Sequence, residues 1–374
     1  MNANIITLQG ILHNHVVVFE DKIIGIIPEG QLGKFEIDEQ IDAGGRYLSP
    51  GFIDIHVHGC NGFDAMDEDE NALNAIAKGI LQTGVTSFVP TTMTMHFARM
   101  ARSIVRIRQA KGKSGGAEVL GCHMEGPFIN EDYKGAQDKQ YIIGPDITKI
   151  EPYLDCIKVI TIAPEVADSR DFIAACVQKG IVVSIGHSSA TYEQAMEAIT
   201  AGVSHMAHTF NALPPLHHRL PGAVGAALDS DIVCELIVDN LHVHPAMQRI
   251  LLKVKGVEKL ILITDAMRAS LLGDGEYEFG GQNVTVSKGE ARLKDGVIAG
   301  SVLSLNKAVR NFIENTGLDL VRAIQLVTLN PARQVGVVNK KGSIQVGKDA
   351  DMVLFNDNFD IFATFVKGQL LFRR

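Results

Sequence analysis

From about residue 50 onward, short apolar runs rich in β-branched residues alternate with segments whose apolar positions recur every three or four residues. The runs are Phe52–His58, Val85–Thr91, Val119–Glu125, Val159–Ala163, Val182–His187, His205–His208, Val233–Val238 and Leu260–Asp265. Several, such as Ile181–Ile185 and Lys259–Thr264, are almost continuously apolar. That pattern suits strands buried on both faces of a parallel sheet. Between them, Asn71–Gln82 sets Ala72, Ala75, Ile76, Gly79 and Ile80 at helical spacing, and Phe97–Arg108 and Ser169–Gln178 read the same way. Thr191–Thr200 opens on an N-capping threonine with Glu193 soon after, and Pro245–Val254 opens on a proline that a first turn tolerates. Strands alternating with helices in this way predict an α/β protein built on a (β/α)8 TIM-like barrel.

Both ends of the chain break this rhythm. Asn4–Gln9, Val16–Glu20 and Lys22–Ile27 are strand-like and separated by turn residues, as are Ala350–Asn356 and Thr364–Phe372 near the other terminus. Neither piece is large enough to bury an apolar face alone, so the two are expected to pair. The expected division is a small β-sandwich domain from 1–49 plus 343–374, and a catalytic barrel over 50–342. The stretch Gly275–Ala299, rich in glycine and strand formers, reads as a hairpin inserted after the eighth strand, in the position of a lid.

Composition narrows the function. With 46% hydrophobic residues over 374 positions, the chain can bury a large core. A net charge of −8 with no basic stripe argues against nucleic acid, so an anionic ligand must be held by a local cluster. No apolar run reaches membrane-spanning length, and the first residues do not read as a signal peptide. The five cysteines, Cys60, Cys122, Cys156, Cys176 and Cys234, have no C-x-x-C spacing and are read as reduced thiols of a cytoplasmic protein.

The chemistry sits at the strand ends. In Asp54-Ile55-His56-Val57-His58-Gly59, the two histidines are two apart and share one face of a strand. Alone, such a pair is as compatible with hydrogen-bonded strand histidines as with a metal site. Four further strands end in His123-Met124-Glu125, Gly186-His187, His208-Thr209 and Thr264-Asp265. Barrel active sites form at that face, and imidazoles with carboxylates suit Zn2+ or Fe2+. Glu125, His187 and His208 make one three-ligand set; His56, His58 and Asp265 surround a second position that Glu125 can bridge. Asp265, beside a cation that lowers the pKa of water, is the expected general base and acid. Five other histidines are not read as ligands: His123 and His205 pack or hydrogen-bond, His96 opens a helix, and His13 and His15 lie on the surface of the terminal β-region.

The segments G-F-I-D-I-H-V-H-G at 51–59, H-M-E-G-P-F at 123–128, G-H-S at 186–188, A-H-T-F-N-A at 207–212 and T-D-A at 264–266 resemble the N-acetylglucosamine-6-phosphate deacetylases of the amidohydrolase superfamily. Asn330-Pro331-Ala332-Arg333 and Gly347-Lys348-Asp349-Ala350-Asp351 extend the resemblance to the tail. It implies a deacetylase of a phosphorylated amino sugar, working in amino-sugar catabolism and cell-wall recycling, with one or two divalent cations per subunit. It also implies that Asn211 and Ala212 contact the substrate and that Arg219 and His242 bind its phosphate. In some relatives the neighbouring subunit supplies one of these groups, so a homodimer is expected. Ala136 and Gln137 lie where relatives position the substrate. Several relatives carry histidine at the latter place, so Gln137 either takes over that work or faces solvent. Many dinuclear members of the superfamily bridge their metals with a modified lysine ending the fourth strand. Here Thr161-Ile162-Ala163-Pro164 holds none, and Glu125 is the bridge the resemblance suggests.

Two rival readings remain open at this point: another amidohydrolase, acting on a cyclic amide or a galactosamine analogue, and a silent scaffold that kept the barrel. The second would be expected to lose ligands, yet all six positions are filled.

Overall fold

A computed structural model describes all 374 residues. Eight parallel strands form the barrel wall: β1 (Phe52–Val57), β2 (Val85–Thr92), β3 (Cys122–Glu125), β4 (Ile157–Ile162), β5 (Val182–Ile185), β6 (His205–Met206), β7 (Val233–Ile237) and β8 (Leu260–Ile263). Each pairs with the next in sequence order. The wall closes just past the strand ends: Asp265 N–H donates to the His56 carbonyl, and the His58 and Gly59 N–H groups both donate to that of Ala266, each at 2.9 Å. Strands β1, β2, β3 and β8 are buried at every position; β8 is apolar throughout, while the other three also bury polar side chains.

The third strand is shorter than its apolar run suggests. Glu118–Val119 and Cys122–Glu125 are separate pieces. Gly121 interrupts them at φ +153°, where a Cβ would come within 2.6 Å of the Cys156 carbonyl. The helices fall close to expectation at Ala72–Gly79, Phe97–Ala110, Ser169–Gln178, Tyr192–Thr200 and Pro245–Lys255. Thr191 caps its helix through a reciprocal box with Gln194 rather than with Glu193. Three further helices, Leu305–Thr316, Leu320–Gln325 and Leu329–Gln334, follow the inserted segment and pack against the barrel; the sequence reading assigned nothing there.

The chain ends build one six-stranded sheet: Gly10–Leu12, Asn4–Thr7, Tyr47–Pro50, Met352–Phe355, Ile361–Val366 and Gln369–Arg373, in that spatial order. A hairpin of His15–Phe19 and Ile23–Pro28 supplies a second layer. Ile5, Ile23, Leu48, Met352, Leu354 and Phe365 share the core between them, with Phe19 edge-on to Phe365. The run Thr364–Phe372, read as one strand, is two. Lys367 at φ +47° and Gly368 at φ +74° make a tight turn between them. All five cysteines are free and buried. No helix is long and apolar enough to cross a membrane.

Candidate active site

Strand geometry delivers the side chains expected from the sequence to one place. His56 and His58 leave β1 on the same side, and both rings are buried. Glu125 ends β3 at the centre of the group. Its Oε1 lies 3.2 Å from His56 Nε2, 3.2 Å from His187 Nε2 and 3.1 Å from His208 Nε2. Its Oε2 lies 3.4 Å from His58 Nε2. Asp265 Oδ1 approaches His58 Nε2 at 3.1 Å and His56 Nε2 at 3.6 Å.

Three of these residues bend the backbone to arrive. His187, His208 and Asp265 adopt φ values of +50°, +27° and +49°, as does Ala212 at +51°. Non-glycine residues enter that region at a cost of order 1–3 kcal/mol each and stay only where neighbours fix them. The fixing bonds are present. Asp265 is held from both sides, by the His56 carbonyl and by Ser301 N–H at 2.8 Å. The His187 carbonyl accepts Asn130 N–H at 2.9 Å, and His208 N–H donates to Glu235 Oε2 at 3.1 Å. Gly186 lets β5 turn toward the site, because a Cβ there would stand 2.6 Å from Thr161 Cγ2.

The donor set fits a divalent transition metal. Three imidazole nitrogens face the single atom Glu125 Oε1, and His187 and His208 bring Nε2 atoms within 3.1 Å of each other. His56 Nε2 is buried with no hydrogen-bond partner. A shared cation resolves both features, and nitrogen with carboxylate oxygen suits the zinc and iron class. Two clusters can be drawn, His56–His58–Glu125 and Glu125–His187–His208, and Glu125 belongs to both. A third, His56–His123–Glu235, is occupied by its own bonds: His123 Nε2 meets Thr161 Oγ1 at 2.7 Å and Nδ1 meets the Ile55 carbonyl at 3.2 Å.

Burial and charge oppose each other here. Burial pushes the Glu125 carboxyl up, but the rings of His56 and His187 outweigh it and hold it well below the usual carboxylate range. Asp265 behaves alike: burial is overcome by His56 and His58, leaving it below its ordinary value. Asp54, whose partners Thr264 Oγ1 and His56 N–H only partly offset burial, is pushed up to about 7.

The expected substrate residues divide into those at this mouth and those away from it. Gln137 is buried; its Nε2 donates to Glu125 Oε2 and its Oε1 accepts Thr94 N–H, both at 2.7 Å. It does not face solvent. The Ala136 carbonyl accepts Gln282 Nε2 at 2.6 Å from the inserted sheet of Gly275–Phe279, Gln282–Ser287 and Glu290–Leu293. That sheet roofs the site, with Phe279 edge-on to His58 at 5.0 Å. The Asn211 carbonyl faces His208 Nδ1 at 3.2 Å, and Ala212 N–H donates to nothing within the chain. His242 is pinned by Asp239, Nδ1 to Oδ2 at 2.6 Å. Arg219 is apart: exposed on the loop after β6, it reaches only His218 Nε2, at 2.7 Å.

Sequence reasoning missed Glu235, which is fully buried and touches His56, His205 and His208. Its signal was present, as the one charge in the apolar strand Val-Cys-Glu-Leu-Ile. It also missed Glu165, which accepts Ser188 Oγ at 2.7 Å and Ser189 N–H at 2.6 Å and so shapes the loop after His187.

Known proteins share much of this sequence and its fold. A sequence model of the amidohydrolase family matches residues 47–371. The N-acetylglucosamine-6-phosphate deacetylase of Bacillus subtilis is 40% identical over 334 residues, 87% of this chain and 84% of that protein. The N-acetylgalactosamine-6-phosphate deacetylase of Escherichia coli O157:H7 is 35% identical over 372 residues, 98% and 97% of the two chains. The crystal structure of N-acetylglucosamine-6-phosphate deacetylase from Pasteurella multocida superposes with a TM-score of 0.93 at 34% identity, covering 99% of this chain and 98% of that one. The chain therefore belongs to the amidohydrolase family and, within it, to the N-acetylglucosamine-6-phosphate deacetylases.

Proposed function

We infer that this chain hydrolyses the acetamide of N-acetyl-D-glucosamine 6-phosphate to acetate and D-glucosamine 6-phosphate, as a step of amino-sugar catabolism. The observation that carries the reading is the convergence of His56, His58, Glu125, His187, His208 and Asp265 from five strands onto one buried point.

We propose that His56, His58 and Asp265 hold one divalent cation and His187 and His208 a second, with Glu125 shared, the ions being of the zinc or iron class. Such an ion, when bound, polarises the amide carbonyl and lowers the pKa of water toward neutrality. The rest of the work falls to side chains. Asp265 accepts the proton of the water that attacks the carbonyl carbon, then delivers it to the departing nitrogen as the C–N bond breaks. Asn211, the Ala212 N–H and His242 orient the sugar phosphate, so that remote binding energy positions the acetamide. Gln137 keeps Glu125 in place and, with Ala136, walls the site. Arg219, exposed in its own subunit, is proposed to reach the phosphate of the neighbouring subunit's substrate in a homodimer. Residues 50–342 carry the chemistry, the terminal β-unit of 1–49 and 343–374 supports it, and the protein acts in the cytoplasm.

Comparing N-acetylglucosamine 6-phosphate, its galactosamine epimer and unphosphorylated N-acetylglucosamine as substrates tests the reading. A clear preference for the first is expected. Equal kcat/KM with and without the phosphate would overturn the substrate assignment, and a preference for the galactosamine epimer would move it to that sugar.

A further inference from the structure

Beneath the catalytic side chains lies a carboxylate that the reaction above does not use. Glu235 Oε2 sits 2.8 Å from His56 Nδ1, and Oε1 sits 2.9 Å from His205 Nε2. An ionised carboxylate only accepts hydrogen bonds. His56 therefore carries its proton on Nδ1 and turns Nε2, buried and without a partner, toward Glu125 and Asp265. The other rings are backed differently. His187 Nδ1 meets the Tyr133 carbonyl at 3.0 Å and His208 Nδ1 the Asn211 carbonyl at 3.2 Å. Of the rings of His56, His58, His187 and His208, only that of His56 has its Nδ1 hydrogen-bonded to a carboxylate; His58 Nδ1 is buried without a hydrogen-bond partner. Glu235 also accepts the backbone N–H of His208, but the ring of that residue is oriented by Asn211.

We propose that Glu235 is a positioning residue for one cation position, the one made by His56, His58 and Asp265, and that it acts through His56. It fixes the tautomer and strengthens the ring as a donor, while the Glu125–His187–His208 position stands without it. Partners of this kind are worth tenfold to a hundredfold in metal affinity. The inference rests on the metal reading above.

Titrating Zn2+ into metal-free wild type and Glu235→Gln against a chromophoric chelator, with thermal unfolding of the metal-free proteins alongside, tests it. The expected result is two classes of bound Zn2+ in wild type. In Glu235→Gln one class should weaken roughly tenfold to a hundredfold and the other should be unchanged. In a His56→Ala background the same substitution should add nothing, because the effect passes through that ring. Glu235→Asp keeps the charge, withdraws it by one methylene, and is expected to weaken the same class even if the glutamine variant does not fold. Unchanged Zn2+ affinities in the folded variants, equal losses in both classes, or full additivity with His56→Ala would overturn the proposal. Wild type that binds no Zn2+ would instead remove the metal reading itself.

Discussion

At the scale of single residues, the proposed chemistry turns on Asp265 and the proposed phosphate contact on Arg219. Asp265 stands 3.1 Å from His58 Nε2 with its backbone locked to His56 and Ser301. Asp265→Asn preserves shape and removes the proton acceptor, so turnover is expected to fall by about 10²–10⁴. Its thermal midpoint should stay near that of wild type. Near-normal turnover in a folded variant would take Asp265 out of the mechanism. The Arg219 guanidinium has no partner but His218 in its own chain, so Arg219→Ala should leave stability unchanged and raise KM for the phosphorylated sugar. An unaltered KM would show that the arginine serves elsewhere. The six proposed ligands were legible because each closes a strand at a fixed place in the barrel rhythm. Glu165 was not, and Glu235 showed only as a lone charge in an apolar strand, because their meaning lies in bonds to residues distant in sequence, which periodicity does not carry. Gln137 was ambiguous until its two 2.7 Å bonds placed it against Glu125.

At the scale of elements, the strand ends are where local preference gives way to tertiary demand. His187, His208 and Asp265, each expected as the last residue of its strand, are left-handed and lie just past it, so β5, β6 and β8 stop at Ile185, Met206 and Ile263. The turn at β5 depends on Gly186. Its replacement by alanine drives a methyl into Thr161 and within 3.0 Å of Ala207 Cβ. Overpacking of this kind costs about 1–3 kcal/mol. Gly186→Ala is expected to lower the thermal midpoint and to reduce activity further than the stability loss alone, because Thr161 also holds His123 behind His56. An unshifted midpoint would mean that the strand relaxes freely. The helices after the inserted sheet escaped the sequence reading because the eighth strand seemed to complete the pattern. The split of Thr364–Phe372 escaped it although Gly368 marks the turn, because a single glycine inside a run of strand formers also reads as a bulge in one strand.

At the scale of the molecule, a buried charge cluster joins the barrel to the terminal sheet. Lys341 Nζ contacts Glu118 Oε2 at 2.7 Å, Asp349 Oδ2 at 3.0 Å and Asp351 Oδ2 at 2.5 Å. Burial pushes Glu118 up, but Lys341 and Lys367 outweigh it and leave it below its ordinary 4.5. Burial lowers Lys341, and Asp351 and Glu118 more than reverse that, so it stays charged above its ordinary 10.5. The Glu118 contribution is therefore full above about pH 4.5 and lost as acid titrates the folded state; that of Lys341 is full below about pH 10.5 and lost in stronger base. Asp351, where burial outweighs Lys341, is raised and works in the opposite sense. Lys341→Met strands these carboxylates and is expected to cost about 3–5 kcal/mol at neutral pH, read by denaturant unfolding. The deficit should shrink as the pH falls below about 4.5, where the carboxylates protonate. A deficit that does not change with pH would show that packing, not charge, holds this seam. The overall division into barrel and paired termini could be read from the switch in hydrophobic period. This seam could not, since nothing local links Glu118 to Asp351.

The central claim is that five strand ends place nitrogen and carboxylate donors around cations that the reaction requires. The most direct test measures bound transition metal and deacetylation of N-acetylglucosamine 6-phosphate together while a chelator strips the protein. Activity is predicted to fall in step with the metal removed and to return when Zn2+ or Fe2+ is restored. Full turnover from protein holding no stoichiometric metal would contradict the account.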